Sequence, residues 1–204
     1  MGGVALGCYV LYLALAVGLR SVIQVRRTGS TGFKGISGAP GSLEWFAGIS
    51  FAVGILTGVA AAVLDVNDVL EPIDVLDGPW AHALGLCLFG FGLAATLYAQ
   101  LSMGKSWRIG VDESERTDLV TDGPFAHVRN PIFAAMIPTT VGLALLVANV
   151  VALIGLAALV LALEIQVRLV EEPYLMRTHG PAYADYAARV GRFAPGVGRV
   201  HPRT

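Results

Sequence analysis

Long apolar stretches alternate with short polar segments along this chain. Three runs of about 20 apolar residues, the length that crosses a bilayer core as a helix, lie at Val4–Gln24, Leu43–Leu64 and Trp80–Met103. The apolar run from Pro131 to Leu163 is too long for one span and is interrupted near Asn149, so we expect a tight hairpin of two helices there. The pattern therefore predicts an all-α, polytopic membrane protein with about five transmembrane helices.

The composition agrees with a membrane protein and argues against a soluble enzyme. Of the 204 residues, 55% are hydrophobic and 14% are charged, whereas a soluble domain has roughly 25% charged residues. We expect a single integral membrane domain over 1–204, with three N-terminal spans in 1–103 and a motif-bearing half in 104–195. Any chemistry must then use the loops and the helix ends.

Cysteine and histidine provide no pattern for a metal site or a disulfide framework. Cys8 and Cys87 both lie inside apolar runs, where they are typical of packed or lipid-facing residues. Ligand spacing is also missing from the four histidines, which are His82, His127, His179 and His201. We therefore predict no bound metal.

The basic residues are confined to alternate loops. They fall in the first loop, the third loop and the C-terminal end, as Arg20, Arg26, Arg27, Lys34, Lys105, Arg108, Arg116, Arg129, Arg168, Arg177, Arg189, Arg192, Arg199 and Arg203. The second loop, from Asp65 to Asp77, carries only acidic charges. The positive-inside bias predicts an external N-terminus and a cytoplasmic C-terminus in the cell membrane.

The segment that leads into the fourth apolar run could bind an anion. Asn130 suits the N-cap position and Pro131 suits the first position of a helix, which is one interpretation of this corner. The other is functional, because free N–H groups at a helix N-terminus, flanked by Arg129 and His127, form a ready site for a carboxylate.

A second charged segment ends the last apolar run. Glu164 and Arg168 are four residues apart and share a helix face as a potential ion pair, and Glu171 and Glu172 follow. One interpretation is that the helix simply leaves the membrane there. Ionisable and amide groups inside a span are costly and usually face a cavity, so Glu164 with Gln166 favours a polar cavity at the cytoplasmic end.

A short amphipathic helix is predicted after this segment. Gly180 and Pro181 mark a helix start, and Tyr183, Tyr186 and Val190 recur on one face. This pattern is typical of an amphipathic helix at the cytoplasmic membrane surface.

The order of these motifs resembles the isoprenylcysteine carboxyl methyltransferase family and its phospholipid methyltransferase relatives. The resemblance covers Lys105 to Pro195 and rests on Gly123-Pro124, Arg129-Asn130-Pro131, Glu171-Glu172, His179-Gly180-x-x-Tyr183-x-x-Tyr186 and Val190-x-Arg192-Phe193-x-Pro195. It implies an integral membrane enzyme that transfers a methyl group from S-adenosyl-L-methionine to a lipophilic, isoprenoid- or lipid-like acceptor, which could be a carboxylate. The implied partners are a prenylated or other lipophilic substrate and membrane lipids, without nucleic acid.

The resemblance also implies which positions bind and react. The cofactor would be held by Arg129, Asn130, Pro131, Glu171, Glu172, Tyr183 and Tyr186, and His127 could replace the family's usual histidine, which is Asn130 here. The family's usual tyrosine two residues after the proline is Phe133. The catalytic positions would be Arg168, Glu171 and Glu172.

Two other functions stay open at this stage. A membrane reductase of the sterol-reductase kind resembles the same C-terminal pattern but must bind the extra phosphate of NADPH, and 133–164 contains no basic residue. A non-enzymatic scaffold or small transporter is the second alternative, although the chain lacks the paired broken helices of inverted-repeat transporters.

Overall fold

In a computed structural model of the chain, residues 1–32, 36, 38–107 and 118–200 are described, and they form helices without β-strands. The helices are α1 Gly2–Thr28, α2 Leu43–Val66, α3 Pro79–Ser102, α4 Pro131–Val147, α5 Val150–His179 and α6 Pro181–Arg189. The predicted all-α class is confirmed. Five residues used in the sequence analysis, Lys34, Arg108, Arg116, His201 and Arg203, lie outside the described residues.

Four of the described helices, α1, α2, α3 and α5, are long and apolar enough to cross a membrane. They cover the predicted spans: the ends of α1, α2 and α3 differ from the predicted ones by a few residues, and α5 extends beyond the apolar run to His179. Helix α4 is apolar but has only 17 residues, which is at the lower limit for a span. The multi-pass membrane fold is confirmed, while the count of five spans stays a prediction.

The connection between α4 and α5 is as short as predicted. Ala148 adopts a left-handed conformation with φ of 44°, and the Asn149 side chain accepts a hydrogen bond from the Ala152 amide at 2.9 Å. Asn149 also donates to the Ala61 carbonyl of α2 at 3.1 Å. The two helices diverge from this turn, however: α4 packs mainly on α3, and α5 packs mainly on α2. The expected tight hairpin is therefore correct for the connection and wrong for the packing.

Small residues explain this choice of packing. A Cβ atom at Gly92 of α3 would lie 2.2 Å from the Thr139 hydroxyl of α4, and one at Gly54 of α2 would lie 3.0 Å from the Leu159 backbone of α5. Small residues let helix backbones approach closely, which strengthens van der Waals packing between helices in lipid. The positions of the glycines thus pair α3 with α4 and α2 with α5.

Helix α5 continues well beyond the apolar run. Its segment Gln166–Glu171 is π-helical and directly precedes Glu172 and Pro173. Proline has no backbone N–H, and its ring clashes with the carbonyl four residues earlier, so a locally widened turn relieves both problems. The helix ends where Gly180 has φ of 52° and Pro181 begins α6, as predicted.

Helix α6 buries its tyrosine face against the rest of the protein. Tyr183, Tyr186 and Ala187 form a small core packed against Leu119, Leu175, Val190 and Val200. The amphipathic C-terminal helix therefore exists, but its apolar face contacts protein. Its location at the membrane surface stays a prediction.

Candidate functional site

Two segments that are far apart in the sequence pair through their backbones beside the N-terminus of α4. The Arg129 amide donates to the Gly191 carbonyl at 2.8 Å, and the Asn130 amide donates to the Arg192 carbonyl at 3.1 Å. Val128 also forms an isolated parallel bridge with Gly191. These bonds bring the Arg129-Asn130-Pro131 corner into contact with the segment that follows α6.

Arg129 is the centre of this contact. Its side chain is 1% exposed, and its guanidinium donates to three backbone carbonyls and one carboxylate. The carbonyls are that of Ala187 at 3.1 Å, that of Gly198 at 3.0 Å, and that of Val190. The carboxylate is Glu172 Oε1, at 2.6 Å from Arg129 Nη2. Arg129 thus joins the start of α4 to α5, to the end of α6 and to the C-terminal segment.

Glu172 is shared between two arginines. Arg192 Nε donates to Glu172 Oε1 at 2.8 Å, and Arg192 Nη2 donates to Glu172 Oε2 at 2.8 Å. This planar, two-bond pairing is the strong form of an arginine–carboxylate contact, and it raises the pKa of Arg192. With Arg129, the group contains two positive charges and one negative charge. We call Arg129, Glu172 and Arg192 the charged cluster.

Two tyrosines of α6 close one side of the charged cluster. The Tyr186 hydroxyl donates to the Phe125 carbonyl at 2.6 Å, and burial raises the pKa of Tyr186 to about 12. Tyr183 is 2% exposed, and its burial, together with the Glu172 charge, raises its pKa as well. Among the described residues, neither the Tyr183 hydroxyl nor Arg129 Nε has a hydrogen-bond partner of good geometry. The two groups are neighbours, because contact with the Arg129 guanidinium lowers the pKa of Tyr183 against the effect of burial.

Asn130 occupies the predicted N-cap position of α4, but its side chain does not cap the helix. Its amide Nδ2 donates to the Arg192 carbonyl at 3.2 Å instead, so it fixes the backbone of an arginine in the charged cluster. Pro131 is the first residue of α4, as predicted. His127 is exposed outside the charged cluster.

The residues on the preceding turns of α5 form a separate group. Arg168 Nε donates to Glu164 Oε2, which gives the ion pair expected from their spacing. Gln166 Nε2 makes a long contact of 3.5 Å to Glu171 Oε1. The Arg168 side chain is 56% exposed, so Arg168 lies outside the charged cluster. Glu171 directly precedes Glu172 of the charged cluster in the sequence.

The structure thus brings together Arg129, Asn130, Glu172, Tyr183 and Tyr186 from the residues that the sequence indicated. It adds Arg192, whose only signal was its place in the Val190-x-Arg192-Phe193-x-Pro195 motif. Within the described part of the chain, no group of three or more histidine, cysteine, aspartate or glutamate side chains could hold a metal ion.

Comparison with known proteins gives concordant matches. The phospholipid methyltransferase family matches residues 80–182. Protein-S-isoprenylcysteine O-methyltransferase B of Arabidopsis thaliana is 28% identical over 120 residues, which are 58% of this chain and 61% of that protein. The chain therefore aligns with less than two thirds of this relative.

A solved structure has the same fold. It is the eukaryotic intramembrane Ras methyltransferase, an isoprenylcysteine carboxyl methyltransferase, and it matches with a TM-score of 0.59 and 21% sequence identity. The match covers 95% of this chain and 67% of that chain. Almost the whole chain therefore shares the architecture of a known intramembrane enzyme.

Proposed function

The chain belongs to the phospholipid methyltransferase family, and from that premise we propose that it is an integral membrane methyltransferase. The methyl donor would be S-adenosyl-L-methionine and the acceptor a lipophilic, isoprenoid- or lipid-like molecule. The observation that supports this most is the charged cluster, a buried set of polar groups with surplus positive charge beside the α4 N-terminus.

The residues present fit the donor. Arg129 and Arg192 share the Glu172 carboxylate, so the donor's carboxylate would pair with these arginines, while Glu171, whose charge also acts on Tyr183, would face the donor's amino group. Arg129 Nε and the Tyr183 hydroxyl are buried next to each other without a well-formed hydrogen bond, and leaving such an atom unpaired costs about 1–3 kcal/mol. A polar ligand that reaches them would remove this cost.

We assign the site residues on this basis. Arg129, Asn130 and Pro131 form the wall at the start of α4, with exposed His127 at its edge. Glu171 is suited to the donor's hydroxyl or amino groups, and the faces of Tyr183 and Tyr186 to its positive charge. When bound, the donor supplies an activated methyl group.

The protein's own contribution would be mainly positional. Methyl transfer needs an in-line approach and the exclusion of water, which is a problem of orientation. Glu172 would maintain the site because it holds both arginines in place. Arg168, which is paired with Glu164 on an exposed face, would orient the acceptor next to Glu171 and Glu172.

An apolar acceptor is supported by the position of Glu164, which is partly buried although it lies in the apolar part of α5, about two helical turns before Glu171. The cavity of about 40 Å³ between α1, α2, α4 and α5, which is lined by residues that include Tyr12, Met136 and Leu159, is too small to hold such an acceptor. We propose that the acceptor enters sideways from the inner leaflet.

Ligand binding tests the donor assignment. S-adenosylhomocysteine at a hundred times its dissociation constant should stabilise the purified protein by about 2.7 kcal/mol, and NADPH should not. Stabilisation by NADPH alone would instead support a reductase.

Product analysis tests the acceptor assignment. Labelled S-adenosyl-L-methionine should transfer its methyl group into a membrane lipid extract, with little transfer into a cytosolic metabolite extract. Label found only in water-soluble products would rule out lateral entry and leave the donor assignment standing.

We also propose an external N-terminus and a cytoplasmic C-terminus in the cell membrane. In a variant without Cys8 and Cys87, a cysteine at exposed Val75 should react with an impermeant thiol reagent on intact cells, whereas one at Ser30 should not. If the Ser30 position reacts and the Val75 position does not, the orientation is reversed.

A further inference from the structure

A second buried arginine lies in the N-terminal half, where the sequence offered no motif. Arg20 of α1 is 2% exposed, and its guanidinium makes three hydrogen bonds to neutral groups. Nη1 donates to Gln24 Oε1 at 3.0 Å, and Nη2 donates to the carbonyls of Gly104 at 2.6 Å and Gln100 at 3.4 Å. No carboxylate pairs with Arg20 among the described residues.

These contacts cap the C-terminus of α3. The last carbonyls of a helix have no donor within that helix, and a positive charge there interacts favourably with the helix dipole. Arg20, which belongs to α1, supplies both the hydrogen-bond donors and the positive charge at this end of α3. Gln24 extends the cap, because its Nε2 donates to the Lys105 carbonyl at 2.8 Å. In return, Gln100 Nε2 of α3 donates to the Ala16 carbonyl of α1 at 2.9 Å.

Trp107 completes this arrangement. The Arg20 guanidinium lies 4.5 Å from the centroid of the Trp107 ring, which is within the range of a cation–π interaction. Gly32 also packs closely on Trp107, since a Cβ atom at Gly32 would lie 2.9 Å from a ring carbon. The fully buried tryptophan is thus held between α1 and the loop that follows it. Arg20, Gln24, Gln100 and Trp107 together are called the α3 cap below.

The end of α3 that is capped in this way contacts the candidate site. A Cβ atom at Gly123 would lie 3.6 Å from the Ser102 hydroxyl oxygen and 3.9 Å from that of Tyr98. Gly123 begins the turn Gly123–Ala126, which leads to Arg129. The same turn provides the Phe125 carbonyl that Tyr186 binds. A continuous series of contacts therefore joins the α3 cap to the charged cluster.

We propose that Arg20 is a positioning residue for methyl transfer. By capping α3 from α1, it fixes the turn Gly123–Ala126 and so the geometry of the donor site around Arg129. Arginine suits this task better than lysine, because its planar fork can bond several acceptors while it stacks on an aromatic ring. The inference rests on the proposed function for its catalytic meaning, but the structural coupling can be measured without any ligand.

The test compares Arg20→Gln and Arg20→Lys with Asn149→Ala. Asn149 is a suitable control, because it is fully buried, bonds α2 and lies at the other end of α4. Two quantities are measured: the dissociation constant for S-adenosylhomocysteine, and hydrogen exchange of the amides of Phe125, His127 and Arg129. All three variants should lower the unfolding temperature, so stability alone does not decide the matter.

Arg20→Gln should weaken binding by about tenfold, because part of the stability lost with its charged hydrogen bonds would be transmitted through the turn to the donor site, and it should accelerate exchange at the three amides. Arg20→Lys should show the same changes to a smaller degree. Asn149→Ala should leave both quantities at their wild-type values. Wild-type affinity together with wild-type exchange in both Arg20 variants would overturn the proposal.

Two further outcomes keep the interpretation unambiguous. If the wild-type protein does not bind S-adenosylhomocysteine, the proposed function fails, and the exchange rates still decide whether Arg20 controls the turn. If Arg20→Gln does not fold, Gln24→Leu takes its place, because it keeps the arginine and removes the two bonds of the Gln24 side chain, one to the Lys105 carbonyl and one from Arg20 Nη1. That variant should accelerate exchange in the turn more than Asn149→Ala does, and equal exchange rates would overturn the proposal.

Discussion

Arg20 in the N-terminal half and Arg129 in the C-terminal half are both buried, and both donate to backbone carbonyls of other segments. They differ in how their charge is balanced. Arg129 shares the Glu172 carboxylate with Arg192, whereas the described contacts of Arg20 are with neutral oxygens and an aromatic face. A buried charge is costly unless it is paired or bonded, and the two halves meet this cost in different ways.

This difference separates a scaffold from a site. In the α3 cap, the Arg20 guanidinium donates to carbonyls at the C-terminus of α3, where the helix dipole provides partial negative charge. Buried atoms of both arrangements lack described partners, namely Arg129 Nε and the Tyr183 hydroxyl in the charged cluster and Arg20 Nε and the Gln100 side-chain oxygen in the α3 cap. What distinguishes the charged cluster is that two guanidinium groups share a single carboxylate, whereas the Arg20 guanidinium faces carbonyl oxygens and an aromatic ring.

The largest effect is expected for Glu172→Gln. This change leaves Arg129 and Arg192 buried without a carboxylate, and breaking a buried ion pair in this way costs about 3–5 kcal/mol. The free energy of unfolding, measured by denaturation in detergent, should fall by that amount, and donor affinity should fall with it. Glu164→Gln is the matched control, because its exposed pair with Arg168 should contribute about 0–1 kcal/mol. Equal stability of the two variants would show that the charged cluster is not held by Glu172.

The next effect is a coupling energy within the charged cluster. In Glu172→Gln, a second change of Arg192→Gln removes one of the unpaired charges, so it should cost less than it does in the wild-type protein. The coupling between the two sites should be about 1–3 kcal/mol. A double-mutant cycle that measures the free energies of unfolding tests this.

The control cycle pairs Glu172→Gln with Asn149→Ala. These sites are remote and share no hydrogen-bond partner, so their effects should add within about 0.5 kcal/mol. Additivity in the Arg192 cycle as well would mean that the three side chains do not act as one cluster.

The contrast between the two arginines also shows what sequence could predict. The length of the apolar runs predicted the helices. A segment that crosses lipid must form all its backbone hydrogen bonds within itself, as a helix does, and must present apolar side chains to the lipid. The family resemblance implied a common site for Arg129, Asn130, Glu172, Tyr183 and Tyr186, and the structure brings these residues together. Their role in binding S-adenosyl-L-methionine stays a proposal.

Contacts over long sequence separation could not be predicted. Arg20 has the pattern of a charge at a membrane boundary, and its burial depends on Gln100, Gly104 and Trp107, which are more than 75 residues away. Arg192 likewise gains its role only when the C-terminal segment folds back on Glu172. The divergence of α4 from α5 depends on glycines of α2 and α3. In each case the deciding group belongs to another element, which local pattern does not encode.

A smaller effect concerns alkaline pH and the side of the charged cluster formed by α6. Burial raises the pKa of Tyr186 to about 12, whereas an unfolded chain has a tyrosine pKa of about 10. The protonated form is favoured by folding, so the stability it contributes is complete below pH ~10 and is lost as pH rises through about 12. Tyr186→Phe should lower stability by about 1 kcal/mol at neutral pH, because the bond to the Phe125 carbonyl is lost.

Denaturation at a series of pH values checks this. The stability difference between wild type and Tyr186→Phe should be constant up to pH ~10 and should shrink above it. Tyr98→Phe serves as the control, because Tyr98 is 60% exposed on α3; its curve should run parallel to that of the wild type. A constant difference through pH ~12 would mean that Tyr186 is not buried as described.

The smallest effect is expected at Asn130. The isoprenylcysteine carboxyl methyltransferase family, which this chain resembles, usually has a histidine at this position. The Asn130 amide makes one neutral hydrogen bond, to the Arg192 carbonyl at 3.2 Å, and such a bond contributes about 0.5–1.5 kcal/mol. Asn130→Ala should therefore lower the free energy of unfolding by about 0.5 kcal/mol and weaken binding of S-adenosylhomocysteine less than Glu172→Gln does.

Asn130→His distinguishes a backbone-positioning role from direct contact with the donor. An imidazole N–H can replace the amide as the donor to the Arg192 carbonyl, so stability and affinity should both return towards wild-type values. Asn130→Asp is the matched control, because it keeps the size of the side chain but cannot donate when ionised. When ionised, it also places a carboxylate against the Arg192 carbonyl oxygen, which repels it. Calorimetry on the three variants should give the affinity order histidine, alanine, aspartate. If aspartate binds as tightly as histidine, the side chain at this position does not act through Arg192, and the charged cluster is fixed by Glu172 and the backbone pairing alone.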